Sequence, residues 1–163
     1  MTPQILADLA ERAFSKSPWH SLMSALEGVT DEAFTWLPER HSGFPWMDGS
    51  IQDIVYHVAG DKLVQLNHAF GDATMNWENV PISKGCSADI LSAPGQAASQ
   101  RYIHSLHSAQ EALIAAIRST DDLDAKVTGW GGKRLKAVDF FLMLIEHDLY
   151  HAGQIRYIRN LVE

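Results

Sequence analysis

The spacing of hydrophobic and polar residues along the chain predicts four long helices. Apolar residues recur every three or four positions, the spacing that places them on one face of an α-helix. The helices are predicted at Pro3–Gly28, Ser50–Phe70, Pro94–Ser119 and Lys136–Leu161. Pro18 lies inside the first helix, and because proline has no backbone N–H, it should kink or interrupt that helix.

Local signals mark several of the helix ends. Thr2 and Ser50 are predicted N-caps, because a side-chain oxygen at that position accepts a hydrogen bond from a free N–H of the first turn. Gly28 is predicted to stop the first helix, and Gly131–Gly132 suggest a short hairpin before the fourth.

The order of these elements predicts an all-α protein, a four-helix bundle. The connection from Gly71 to about Ala93 is long and polar, so it should form a crossover between the second and third helices. No repeat or domain boundary is visible. Residues 1–163 are therefore expected to form a single domain, which is long enough to bury roughly two-thirds of its unfolded surface.

Composition and charge narrow the possible function classes. The net charge is −7 and the pI is about 5.5, which argues against a nucleic-acid partner. No apolar run approaches the roughly 20 residues of a membrane span, and no signal-peptide pattern is present, so we expect a cytoplasmic protein with no membrane partner. The single cysteine, Cys86, lies in a connection and is expected to be inert.

Two histidines on the fourth helix are the main candidates for chemistry. At about 100° per residue, His147 and His151 lie about 40° apart, one turn from each other, within an apolar stripe that points into the bundle. Two neutral imidazoles so placed can bind one divalent ion at about 2.0–2.1 Å. The alternative is a pair of core histidines hydrogen-bonded to carboxylates or to backbone.

The remaining histidines leave the third ligand open. His20, His41 and the "HSLH" histidines of the third helix are expected at the surface or on its flank. His57 and His68 share a face of the second helix but stand roughly 16 Å apart, so only one of them can join the pair. Spacing alone does not choose between these two.

The segment "HDLYHAGQIRYI", together with "SIQDIVYHVAGD" about 90 residues before it, resembles the DinB-like superfamily of proposed metalloenzymes. That superfamily carries one histidine on its second helix and a His–x–x–x–His pair on its fourth, often followed by Gly-Gln-Ile. The resemblance assigns the metal ligands to His57, His147 and His151. The Trp- and Gly-rich loop before the fourth helix matches no single branch of the superfamily.

The resemblance also implies a fold, cofactors and partners. It implies a four-helix bundle of up-down-down-up topology, usually a homodimer, that binds a divalent metal, commonly Zn²⁺ or Ni²⁺. Relatives include thiol transferases that use bacillithiol and an isomerase that uses mycothiol, so a low-molecular-weight thiol is a candidate co-substrate. Many members have no assigned reaction.

Three histidine ligands leave the ion at least one open position, the pattern of a catalytic site. We therefore expect an enzyme acting on a small-molecule substrate, either a thiol S-transferase in which the metal activates the thiolate or a hydrolase that uses metal-bound water. The alternative is a non-catalytic metal-binding or stress-associated bundle protein. The catalytic residues beyond the metal ligands remain unassigned.

Four other residues could contribute to such a site. Asp61, one turn after His57, is a candidate to orient that ring, or else a solvated carboxylate. Gln154 points near the histidine pair and could hold water or substrate, although packing is the simpler role. Trp46 and Trp130 could wall the pocket or anchor loops.

A second apolar stripe on the fourth helix suggests a subunit interface. It lies about 180° from the histidines and consists of Val138, Leu142, Ile145 and Leu149. A helix that is apolar on both sides is buried on both sides, so a homodimer is expected. Burial of this stripe under the crossover is the alternative.

Overall fold

The computed structural model describes residues 1–37, 49–82 and 98–162, and in these ranges the protein is mainly helical. The α-helices are α1 (Pro3–Glu11), α2 (Leu22–Leu26), α3 (Asp31–Thr35), α4 (Ile51–Phe70), α5 (Ala98–Ser119) and α6 (Ala137–Val162). A small antiparallel hairpin, β1 (Lys126–Thr128) and β2 (Arg134–Lys136), precedes α6. The all-α class is therefore confirmed.

The first predicted helix is interrupted, as Pro18 indicated. Thr2 caps α1 by accepting from the Ile5 N–H. A π-helical turn at Arg12–Lys16 follows, and α2 begins only after Ser21, which caps it. The short helix α3 has no counterpart among the predicted elements, because five residues are too few to show a helical repeat.

The other predicted elements agree closely with the structure. Ser50 caps α4 by accepting from the Asp53 N–H at 3.0 Å, and α4 ends at Phe70 as predicted. The hairpin lies where Gly131–Gly132 indicated, and both glycines have φ of +81°, which a side chain would disfavour. Residues 94–97, where the third helix was predicted to begin, lie outside the described residues.

Buried apolar side chains form two neighbouring clusters between the helices. The first joins α2, α3, α4 and the C-terminal half of α6, and the second joins α1, α5 and the N-terminal half of α6. The long helices α4 and α5 pack against each other, α1 packs on α5, and α2 packs on α6. None of the helices in the described ranges has the length and apolarity that crossing a membrane requires.

Candidate metal centre

Three histidines from two helices meet in the bundle. His57 lies on α4, and His147 and His151 lie one turn apart on α6. The His57 Nε2 atom is 3.1 Å from the His147 Nε2 atom, which is 3.0 Å from the His151 Nε2 atom. His151 is buried, whereas 23% of the His147 side chain is exposed. The three rings therefore point one nitrogen each toward a common position close to solvent.

This arrangement fits a divalent ion. Nitrogens bound at about 2.0–2.1 Å in a tetrahedral site lie about 3.4 Å apart, slightly more than the observed spacings. In the described part of the chain, no residue hydrogen-bonds the Nδ1 atom of any of the three rings, and no other ligand-type side chain joins the group. A closed structural zinc site needs four protein ligands, and the three found among the described residues are the pattern of an open site.

Burial keeps the three rings neutral. Desolvation lowers the pKa of His57 and of His151 to about 4 and the pKa of His147 to about 3. The neighbouring rings lower the pKa values of His147 and His151 further, while the Gln154 side chain opposes the shift at His151. Neutral imidazole is the form that binds a metal, so at pH 7 no proton has to leave the ligands first.

Comparison with known protein families agrees with the histidine pattern. The family model described as the DinB superfamily matches residues 16–155, most of the chain. The chain belongs to the DinB superfamily. The resemblance inferred from the two histidine segments is thereby confirmed, as is the DinB-like fold. Comparisons with curated proteins and with solved structures gave no significant match.

The structure settles which α4 histidine meets the pair in this DinB-superfamily protein. His68 lies away from the cluster, and its Nε2 atom is 2.8 Å from the Met75 carbonyl oxygen. His20, His104 and His107 are exposed, as expected, and His41 and Cys86 lie outside the described residues. His57 is therefore the α4 histidine that can share an ion with His147 and His151.

Asp61 lies beside His147, and the predicted pairing with His57 is not observed. Its Oδ2 atom is 3.9 Å from the His147 Nδ1 atom, which is too long for a hydrogen bond, and the neutral His147 ring carries no charge with which to form an ion pair. Burial raises the pKa of Asp61 to about 6, against the opposing effects of the Gln65 amide and the Lys62 charge. The carboxylate favours the His147 tautomer with its proton on Nδ1, which leaves Nε2 free to bind.

Lys62 and Asp148 form a fully buried ion pair, and Asp148 directly follows His147 in the sequence. The Lys62 Nζ atom donates to Asp148 at 2.8 Å and to Gln110 at 2.7 Å, and it stands 4.9 Å from the Phe14 ring centroid. Burial lowers the pKa of Lys62 and raises the pKa of Asp148, while their attraction opposes both shifts. The pair was not predicted, because lysine and aspartate on a helix are usually solvated.

One signal of this ion pair was present in the sequence. Gln110 falls in the middle of the apolar stripe of the third predicted helix, and the structure buries it there. A polar side chain at a core position needs a hydrogen-bond partner, which in this chain is Lys62. The identity of that partner depends on how α4 and α5 are aligned.

Aromatic side chains surround the three histidines. Trp77, which the sequence analysis did not single out, stacks on His57, and Trp130 packs edge-on against Trp77. Tyr150 packs against His151, and its hydroxyl accepts a hydrogen bond from the Gln154 Nε2 atom at 2.9 Å. Trp46 lies outside the described residues. Trp130 thus packs on Trp77 next to the histidines, and Gln154 hydrogen-bonds Tyr150.

Proposed function

We propose that this DinB-superfamily protein is a divalent-metal-dependent enzyme that acts on a small molecule, with His57, His147 and His151 as the metal ligands. Zn²⁺ and Ni²⁺ are the candidate metals. The observation that carries the proposal is the convergence of the Nε2 atoms of three neutral histidine rings, one of which, His147, is partly exposed. An ion held there supplies a Lewis acid with an open position, which activates a thiol or a water.

The protein groups around the site support binding and orientation. Asp61 orients the His147 ring, and α4 and α6 hold the ligands at one spacing. A thiol S-transferase that takes a low-molecular-weight thiol as co-substrate is the first candidate reaction, and a hydrolase is the second. A cytoplasmic location stays a prediction of the sequence.

Chelation distinguishes the enzyme from a bundle that uses the ion only for stability. We expect a chelator to abolish the conjugation of a thiol to a chlorinated aromatic, while the circular dichroism at 222 nm shows that the helices remain. The physical reason is that the two apolar clusters pack without involving the ion. Loss of bound metal lowers the stability by about 2.7 kcal/mol at a free metal concentration 100 times Kd.

The reaction mixtures identify the chemistry. Product formed only with added thiol supports the transferase, and product formed without thiol supports the hydrolase. Readdition of Zn²⁺ or Ni²⁺ should restore the activity. Unfolding upon chelation, together with no turnover in either mixture, would support the non-catalytic alternative.

A homodimer is a further part of the proposal, with its supporting surface revised by the structure. Ile145 is only 6% exposed and packs within the subunit, where Leu142 also contacts the second apolar cluster. Leu149, at the end of the same stripe, is 43% exposed. The outer face of the C-terminal half of α6 is therefore the part of the stripe left for a second subunit.

The substitution Leu149→Glu tests this surface. If the dimer uses it, the variant should be monomeric by light scattering, because burying an unpaired carboxylate at an interface is unfavourable. Glu146→Gln, at an exposed position one turn earlier, is the control and should keep the wild-type mass. A Leu149→Glu variant with unchanged mass would rule out this interface.

A further inference from the structure

Trp77 covers one of the three histidines. Its ring lies nearly parallel to the His57 ring, at 12°, with the ring centroids 5.6 Å apart. Gly60, one turn after His57 on α4, allows this approach, because a Cβ atom at position 60 would stand 2.6 Å from the Trp77 Cζ3 atom. Inside a helix, glycine is less favourable than alanine. The close approach of Trp77 accounts for the glycine at position 60.

Trp130 extends the aromatic surface away from His57. Its ring packs on Trp77 at 85°, with the centroids 6.4 Å apart, and it remains exposed. The turn that carries Trp130 is fixed to α4, because its backbone N–H donates to the Gln65 Oε1 atom at 3.0 Å. The two tryptophans therefore form a corner that is held rigidly next to the histidines.

Tyr150 lies against another histidine ligand. Its ring centroid is 5.0 Å from the centroid of the buried His151 ring, and its own ring is exposed. The Gln154 amide, one turn later, donates to its hydroxyl. We name Trp77, Trp130 and Tyr150 the aromatic rim.

We propose that the aromatic rim is the substrate-recognition surface of the metal centre, and that the substrate carries a flat, uncharged apolar group next to the group that reaches the ion. This inference rests on the proposed function. Trp130 and Tyr150 are exposed and Trp77 is half-buried, and aromatic rings next to a metal site bind best a ligand that covers their apolar surface and stacks on them. The rim therefore discriminates between substrates, while the histidines bind the ion.

The charge near the metal site favours an uncharged substrate group over a cationic one at the aromatic rim. Indole faces attract cations, but the divalent ion would repel them at this distance. Among the described residues, Asp61 is the carboxylate that lies beside the ligands, and its single negative charge does not cancel the two positive charges of the ion. Lys62 and Asp148 neutralise each other within the core.

Two hydroxamates with the same chelating group test the proposal. Acetohydroxamate ends in a methyl group and benzohydroxamate ends in a phenyl ring, so the ratio of their dissociation constants on Ni²⁺-loaded protein reports the rim alone. We expect benzohydroxamate to bind roughly tenfold to a hundredfold more tightly to the wild type. In Trp77→Ala and Trp130→Ala, the ratio should fall toward the value for free Ni²⁺, because each variant removes an aromatic ring of the rim.

Matched variants separate recognition from folding. Trp19→Ala removes a tryptophan outside the rim that is 77% exposed, and it should keep the wild-type ratio. Gly60→Ala retains every ring but displaces Trp77, so it should lower the ratio. Gly153→Ala is its control, because a Cβ atom there meets nothing within 4 Å.

The outcomes distinguish this inference from the proposed function. A loaded wild-type protein whose ratio equals that of free Ni²⁺ would overturn the rim alone, as would unchanged ratios in both Trp77→Ala and Trp130→Ala. A wild-type protein that binds no nickel would overturn the metal centre and, with it, the rim.

Discussion

His151→Ala is expected to abolish stoichiometric metal binding. The wild-type protein, purified without a histidine tag and loaded with Zn²⁺, should retain about one ion per chain after dialysis, given one three-histidine site. The variant lacks the buried ligand whose Nε2 atom lies 3.0 Å from that of His147. The loss of affinity should exceed the roughly 10–100-fold effect of losing an outer-shell hydrogen bond. Metal analysis by mass spectrometry measures it.

The same measurement on two further variants identifies the site. His57→Ala should show the same deficit, because it removes the α4 ligand, whereas His104→Ala, an exposed histidine on α5, should bind like the wild type. Circular dichroism must show that each variant is folded. Unchanged metal content in His151→Ala or His57→Ala would reject the three-histidine centre.

Breaking the buried Lys62–Asp148 pair is expected to give the largest loss of stability. Lys62→Met or Asp148→Asn leaves an uncompensated group at a fully buried position, which should lower the free energy of unfolding by about 3–5 kcal/mol. For a chain of this length, that corresponds to a fall in Tm of roughly 6–20 °C. Denaturant unfolding and calorimetry measure the change.

A double variant and a surface pair supply the controls. Lys62→Met/Asp148→Leu removes both charges and should recover most of the lost stability, because apolar side chains then pack together. Lys136–Asp124 has a similar distance, 2.7 Å, but its side chains are 47% and 78% exposed, so Lys136→Met should have little effect. Equal effects of Lys62→Met and Lys136→Met would contradict the importance of burial.

Helix positions were predictable because their signals are local. N-caps, the stop near Gly28 and the interruption by Pro18 depend on residues within a turn of one another. The predicted bounds of α4 and α6 consequently lie within a residue or two of the observed ones. The short helix α3 was missed, since it carries too few residues to show a repeat.

The candidate site was predictable only in part. The spacing of His147 and His151 places both on one face of a single helix, which the sequence determines. The helical spacing could not decide whether His57 or His68 is the third ligand, and the resemblance to the superfamily assigned His57. In the structure the His57 ring meets His147 on α6, whereas the His68 ring meets the Met75 carbonyl oxygen. Asp61 shows the limit, since the histidine that it lies beside is His147 on α6.

The sequence by itself determined the helices, the histidine pair within one turn of α6, and membership of the DinB superfamily. Only the tertiary structure decided that Lys62 pairs with Asp148, that Asp61 lies beside His147, and that Trp77 stacks on His57. The physical reason is that periodicity fixes where a side chain lies around its own helix. The rotation and alignment of one helix against another, which the packing of the whole core sets, decide which side chains meet.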